Sequence, residues 1–225
     1  MNPQDLRFAV LAADTVLLTL RDGDLYVRVI EVNRPPQYVN TVGLPGGLLS
    51  PTETADESAM RHLEVKGHIN GKRVYSEQLY TFSGINRDSR GRVVAVAYLA
   101  LVPWDSLTAS EQMSSKETSW KRVSSLKKLA YDHSEILSLG IKRLRSRIVY
   151  TTLISKLMPK EFTLTELEKA YEAILGTPLD KRNFRKKILK VGVLKELPIK
   201  RSGGRFRPAQ LYSFASKKVV EIEVL

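Results

Sequence analysis

The chain contains no cysteine, so disulfides, thiolate metal sites and cysteine nucleophiles are excluded. No apolar run approaches the roughly 20 residues that a membrane-spanning helix needs. The start, MNPQDLRFAV, lacks the basic region, apolar stretch and small-residue cleavage site of a signal peptide. Together these absences predict a cytoplasmic protein without a membrane partner. Three histidines, His62, His68 and His133, form no metal constellation. His133 precedes a helix and is a candidate for orienting a linker. Of the 225 residues, 43% are apolar and 27% charged, an ordinary balance for one large or two smaller globular domains. The net charge of +12 is uneven: residues 1–133 hold 16 Lys+Arg and 15 Asp+Glu, whereas residues 134–225 hold 20 and 9. Such asymmetry points the second half toward a polyanion, whose phosphates clustered Lys and Arg neutralise.

The first half reads as strands around one helix. Phe8–Leu20 and Leu25–Val32 are apolar stretches joined by the turn signal Asp22-Gly23-Asp24. A loop, NRPPQYVN, and a strand ending at Leu44 lead to Pro45-Gly46-Gly47. A helix is expected from Thr52 or Thr54 to about Lys66, its apolar positions Ala55, Ala59 and Leu63 spaced by four. Ser76–Phe82 and Val93–Val102 are further strands around the charged loop NRDSRGR. Mixed strands with a helix between them predict an α/β layered domain. The polar stretch DSLTASEQMSSKETS reads as an exposed crossing loop.

Within this half, GGLLSPTETADESAMRHLEVKGHI (46–69) resembles the Nudix box. Gly47, Glu53, Arg61, Leu63 and Ile69 are in register, while His62, Val65, Lys66 and His68 stand where the pattern has Glu, Glu, Glu and Gly. Positions 62, 65 and 66 share a helix face. Hard Mg²⁺ wants oxygen ligands there, and His, Val and Lys do not supply a carboxylate cluster. The resemblance therefore implies a kept pocket and a lost metal-dependent hydrolysis, with no catalytic residue, metal or cofactor. Three Arg side chains at 87, 90 and 92 suit an anionic ligand or a subunit contact.

In the second half, Ser134 is a candidate N-cap for a long helix over Glu135–Met158, broken near Gly140 and ending before Pro159. Phe162–Phe214 reads as a winged helix. Thr163 or Thr165 caps its first helix, with Thr165-Glu166-Leu167-Glu168 following the Thr-x-x-Glu capping box. Asp180 caps a second helix, Lys181–Val191, and Leu194–Leu197 and Gln210–Phe214 flank a basic hairpin. In a helix-turn-helix arrangement the second helix enters the major groove, where Arg and Asn can make bidentate base contacts. Candidate DNA-binding residues are Thr163, Thr165, Lys181, Arg182, Asn183, Arg185 and Lys186, with Arg201, Arg205 and Arg207 on the wing.

YEAILGTPLDKRNFRKKIL, RPAQLYSF and the linker AYDHSEIL resemble the NrtR family, bacterial transcription regulators with a Nudix-like domain joined to a C-terminal winged helix. The resemblance implies an α/β Nudix-like sandwich, a mixed sheet with flanking helices, over 1–133. A linker helix over 134–158 and a winged helix-turn-helix over 159–225 follow. It also implies a homodimer on a palindromic double-stranded DNA operator. The name-giving members repress NAD-metabolism genes and sense ADP-ribose or related nucleotides; relatives sense sugars such as arabinose. Lys181, Arg182, Asn183, Arg185 and Lys186 carry over as recognition-helix residues; Glu53, Arg61, Arg87, Asp88 and Arg90 carry over as pocket residues. Val42 departs from the family, many of whose members have Trp there. Two other readings are a Nudix pyrophosphatase acting on ADP-ribose or a related nucleoside diphosphate derivative, and an RNA-binding or scaffold protein whose basic domain is not sequence-specific.

Overall fold

The computed structural model describes residues 9–202 and 208–222. Strands β1 (Val10–Arg21) and β2 (Asp24–Arg34) form a hairpin. Asp22 (φ 52) and Gly23 (φ 81) at its tip take the left-handed backbone that a two-residue turn matching strand twist requires. Then follow β3 (Tyr38–Gly43), β4 (Gly46–Leu48), α1 (Ala55–Val65), β5 (Tyr75–Phe82), β6 (Val93–Leu101), α2 (Ala109–Gln112) and β7 (Thr118–Arg122). The sheet order is β3-β2-β1-β6-β5, with β4 paired to β1 and β7 to β2. Only β1 and β6 run parallel, from Val10↔Val93 to Leu18↔Leu101.

Side chains alternate across a strand, and β1 uses both faces. Ala13 and Leu17 pack with Ala59 and Leu63 of α1, whereas Val16 and Leu18 pack with Ile136, Leu144 and Ile148 of α3 (His133–Tyr150). The result is a mixed sheet between helices. Helix α1 begins as its sequence dictates: Thr54 and Glu57 form a capping box, and Ala59 and Leu63 are fully buried.

The stretch after Trp104 departs from the expected exposed loop. Thr108 and Glu111 cap α2, and Thr118–Arg122 becomes strand β7. Buried Glu111 accepts from Asn70 N at 2.9 Å and from Arg73 Nη2 at 2.6 and 2.7 Å. Arg28, 1% exposed, donates to Gly67 O (2.8 Å) and Met113 O (3.0 Å) and lies over the Trp120 ring. Burial pushes its pKa down to about 10. These short elements depend on buried polar partners far away in sequence, and local propensity does not stabilise a four-residue helix.

Helix α3 also differs from expectation. Its N-cap is Asp132, not Ser134, whose hydroxyl instead accepts from Leu129 N at 2.9 Å. A 3-10 turn, Val123–Ser125, precedes it. Gly140 does not break the helix; it sits against β1 so closely that a Cβ would lie 3.0 Å from Val16 Cγ1. The helix stops at extended Thr151 (φ −141, ψ 164) and continues as a 3-10 turn, Thr152–Lys156.

The C-terminal unit contains β8 (Phe162–Thr163), α4 (Leu164–Leu175), α5 (Lys181–Lys190), β9 (Leu194–Arg201) and β10 (Ala209–Phe214), with sheet order β8-β10-β9. The capping box is Thr163 with Glu166, two residues earlier than the Thr165–Glu168 box. Gly176 (φ 77) ends α4, Asp180 caps α5, and Gly192 (φ 74) follows it. One apolar cluster runs from Val16 and Leu18 through Ile148, Ile154 and Leu157 to Phe162, Tyr171 and Phe184. Arg145 Nε donates to Ile174 O at 2.7 Å, joining α3 to the end of α4. No helix among the described residues is long and apolar enough to cross a membrane.

His133 locks the head of α3 to the sheet. Its Nδ1 accepts from Leu44 N at 2.9 Å and its Nε2 faces Asp14 Oδ1 at 3.6 Å. A Cβ at Gly43 would lie 2.9 Å from that Nδ1, so a side chain is excluded there. Burial lowers the His133 pKa from its ordinary 6.5, with Asp14 and Asp132 opposing; burial also lowers that of His62. A folded-state pKa below the unfolded one gives stability that is full above pH 6.5 and lost as pH falls below it, because the unfolded chain binds more protons. Thermal melts should therefore show the midpoint falling between about pH 7 and about pH 5.5, as stability drops by at most about 1.4 kcal/mol per pH unit for each histidine. His133→Gln should flatten that dependence; an unchanged slope in the variant would contradict the assignment.

Candidate functional site

A cavity of about 620 Å³ opens among β1, β2, the β4 loop, the end of α1 and the 87–90 loop. At its floor Arg87, its side chain 6% exposed, donates from Nε and Nη2 to the Asp132 carboxylate, each at 2.7 Å, and from Nη2 to Asp14 Oδ2 at 3.2 Å. Burial opposes its charge, and the Asp132 and Asp14 carboxylates more than offset that, raising its pKa. The Asp132 side chain makes no capping bond to α3; it is committed to Arg87. A Cβ at Gly46 would fall 2.1 Å from Asp14 Oδ1, so this approach requires glycine.

The loop that follows β5 supplies the wall. Asp88 accepts from Arg90 N (3.0 Å), Nε (2.9 Å) and Nη2 (2.6 Å), and these hydrogen bonds hold its carboxyl below the usual range. The Arg90 guanidinium lies 5.7 Å over the Tyr131 ring. Tyr131 itself packs against Tyr38 (4.6 Å) and His133 (5.3 Å). Its φ of 56 is the left-handed region, a strained conformation for a bulky side chain. It places an aromatic ring on the cavity lining. Arg34, Lys66, Glu31, Asn33 and Glu117 complete the polar lining.

The candidate pocket residues divide. Arg87, Asp88 and Arg90 line the cavity; Glu53 and Arg61 do not. Arg61 Nε and Nη2 donate to Glu53 at 2.8 and 2.5 Å, Ser50 N donates to Glu53 at 2.7 Å, and Arg61 Nη2 reaches Leu48 O at 3.1 Å. Arg61 thus holds the Glu53 carboxyl far below its usual range, and the pair staples the box loop to α1. Residues at the lost-acid positions make bonds of their own. His62, kept neutral by burial, places Nε2 3.2 Å from Leu48 O; Lys66 Nζ donates to Gly46 O at 2.6 Å; Val65 is exposed at the rim. No group of three His, Cys, Asp or Glu able to hold a metal occurs among the described residues.

Asp14, Tyr131 and Lys66 were not singled out from sequence as pocket groups. Asp14 was visible as a lone acid inside the apolar run LAADTVLLTL, where a buried charge demands a partner. Nothing in the local sequence signals the backbone of Tyr131.

On the winged helix, Lys181, Arg182, Asn183 and Lys186 are exposed along α5. Arg185 is more committed: Nη2 donates to Thr165 Oγ1 at 2.9 Å, and Nε lies 3.7 Å from Glu168 Oε2. Glu168 is 1% exposed and also faces Lys181 Nζ at 3.9 Å. Thr163 serves as a helix cap, and Arg201 donates to Glu166 Oε1 (2.6 Å) and Glu161 O (3.3 Å). Arg205 and Arg207 lie outside the described residues. A helix presenting Arg182, Asn183 and Lys186 outward is therefore braced from behind by a buried acid that faces Lys181 and Arg185.

Residues 154–214 match the NrtR DNA-binding winged helix domain. The chain is 33% identical to the ADPR responsive transcriptional repressor NtrR of Acinetobacter baylyi over 92% of its length and 82% of that protein's. It superposes on the crystal structure of Shewanella oneidensis NrtR complexed with a 27mer DNA with TM-score 0.78 and 30% identity, covering 91% of this chain and 93% of that one. Its first part superposes on the Nudix domain of the same Shewanella protein complexed with ADP ribose, with TM-score 0.54 and 29% identity, covering 64% and 94%. Fold and sequence agree along nearly the whole length: the chain belongs to the NrtR family, a Nudix-like domain carrying a C-terminal winged helix.

Proposed function

We propose that this chain is a cytoplasmic transcriptional repressor, acting as a homodimer on a palindromic operator of NAD-metabolism genes and released by ADP-ribose. The observation that carries the reading is the outward row of Lys181, Arg182, Asn183 and Lys186 on α5, in a chain that superposes along its length on a relative crystallised with DNA. The Acinetobacter relative is ADP-ribose responsive and the Shewanella Nudix domain was crystallised with ADP ribose. The cavity suits such a ligand: Arg34 and Arg90 answer a diphosphate, the Tyr131 ring a base, and Glu31, Asn33 and Glu117 can accept from ribose hydroxyls.

Occupancy reaches DNA through α3. Arg87 touches both the cavity and Asp132 at the head of α3, and α3 is tied to α4 by Arg145. An anionic ligand competes with Asp132 for Arg87, and any difference in ligand affinity between DNA-bound and free forms then sets operator affinity.

Hydrolysis is lost in this reading. His62, Val65 and Lys66 replace the acids that would hold Mg²⁺. ADP-ribose incubated with the chain and Mg²⁺ should be released unchanged at the background rate; turnover abolished by Glu53→Gln would overturn the purely regulatory assignment.

Operator binding tests the interface. Arg182→Ala should cost about 1–3 kcal/mol and relax specificity at one base position, while Lys186→Ala should weaken all sequences evenly and lower the salt slope by about 1. Footprints that neither substitution alters, or equal affinity for random duplex, would favour the nonspecific RNA-binding or scaffold reading instead.

A further inference from the structure

We propose that Lys66 is a tethered cation that binds the effector's diphosphate where the Nudix fold would otherwise use a divalent metal, making effector binding independent of metal. The inference rests on the effector reading above and adds the residue and the ion requirement. Lys66 closes α1 as its C-cap, and its Nζ donates to Gly46 O at 2.6 Å. One of three ammonium donors is thereby spent, and Lys66 lines the cavity with the other two available.

Gly47 shows that this placement is built in. A Cβ there would lie 2.8 Å from Lys66 Nζ and 2.7 Å from His62 Cε1. The bare backbone lets an ammonium and an imidazole lie on the box loop side by side. Lys66, His62 and Arg61 together reach the carbonyls of Gly46 and Leu48, so side-chain nitrogens hold the loop.

A divalent ion does not fit the same place. The box-helix side chains that reach the Gly46–Leu48 backbone are Arg61, His62 and Lys66, none of them a carboxylate. Of the cavity's acids, Asp14 is committed to Arg87 and faces His133, and Asp88 is committed to Arg90. The ammonium is also short of counter-charge: burial and Arg34 lower its pKa, and Asp14 alone opposes them. A bound diphosphate supplies what is missing, and charge-assisted N–H···O⁻ bonds are the strong ones.

Calorimetric titration of the full chain with ADP-ribose, in EDTA and in millimolar Mg²⁺, tests this. Wild type should bind equally in both buffers. Lys66→Met, checked for a cooperative melt, should bind about tenfold or more weakly in both. Lys66→Glu should bind weakest in EDTA and recover in Mg²⁺, because one carboxylate plus phosphate oxygens is a normal Mg²⁺ set. Wild-type affinity that depends on Mg²⁺ overturns the proposal whether or not the variants fold, as does Lys66→Met binding as tightly as wild type. Absence of wild-type binding in both buffers overturns the effector reading and this inference together, whereas indifference to Lys66 overturns this inference alone.

Discussion

The Arg87 guanidinium, held between Asp132 at the head of α3 and Asp14 on β1, joins the ligand cavity to the helix that carries the winged domain. Charges this deeply buried persist only when paired, and removing one partner from such a group costs about 3–5 kcal/mol. The surrounding architecture serves that pairing. Gly46 admits Asp14, Gly43 admits His133, and His133 fixes Leu44 and the first turn of α3 against the sheet. Farther along, Gly140 lets α3 lie directly on Val16. The far end of α3 then enters the same apolar cluster as Phe162 and Tyr171. A shift at Arg87 therefore has a packed route to α4 and α5, and packed interfaces move between discrete arrangements rather than deform smoothly.

The Nudix-like box keeps its shape although His62, Val65 and Lys66 stand at three of its positions. Register is kept where geometry matters: Gly47 under the helix end, Glu53 paired with Arg61, and Leu63 in the core. Chemistry is exchanged where the acids stood. His62 and Lys66 donate N–H groups to the loop carbonyls, so the loop is held from within. Lys66 at one of those positions puts positive charge on the cavity lining.

Much of this was legible from residues alone. The Asp22-Gly23 turn, the Thr54 start of α1, the Asp180 cap and the Gly192 stop are local signals with local physics, and each sits where its chemistry predicts. The basic face of α5 follows from helical periodicity around Phe184 and Ile188. What escaped depends on partners distant in sequence. Strand β7 and helix α2 exist because Arg28, Arg73 and Glu111 meet in space. Thr163 rather than Thr165 caps α4, and Thr165 is instead held by Arg185. The left-handed Tyr131 has no local sequence signature at all. Candidate site residues chosen by motif match thus mix groups that line the cavity or stand exposed, such as Arg90 and Arg182, with groups that brace the frame, such as Arg61 and Arg201.

In the repressor reading, cavity and operator compete through one structure. Linkage makes this reciprocal: whatever factor ADP-ribose takes from operator affinity, operator must take from ADP-ribose affinity. The direct measurement is fluorescence anisotropy of labelled operator duplex bound to the full chain, titrated with ADP-ribose in EDTA. The account predicts release, with the apparent ADP-ribose affinity weakening as operator concentration rises. Operator affinity unchanged at ADP-ribose concentrations that saturate the cavity would contradict it.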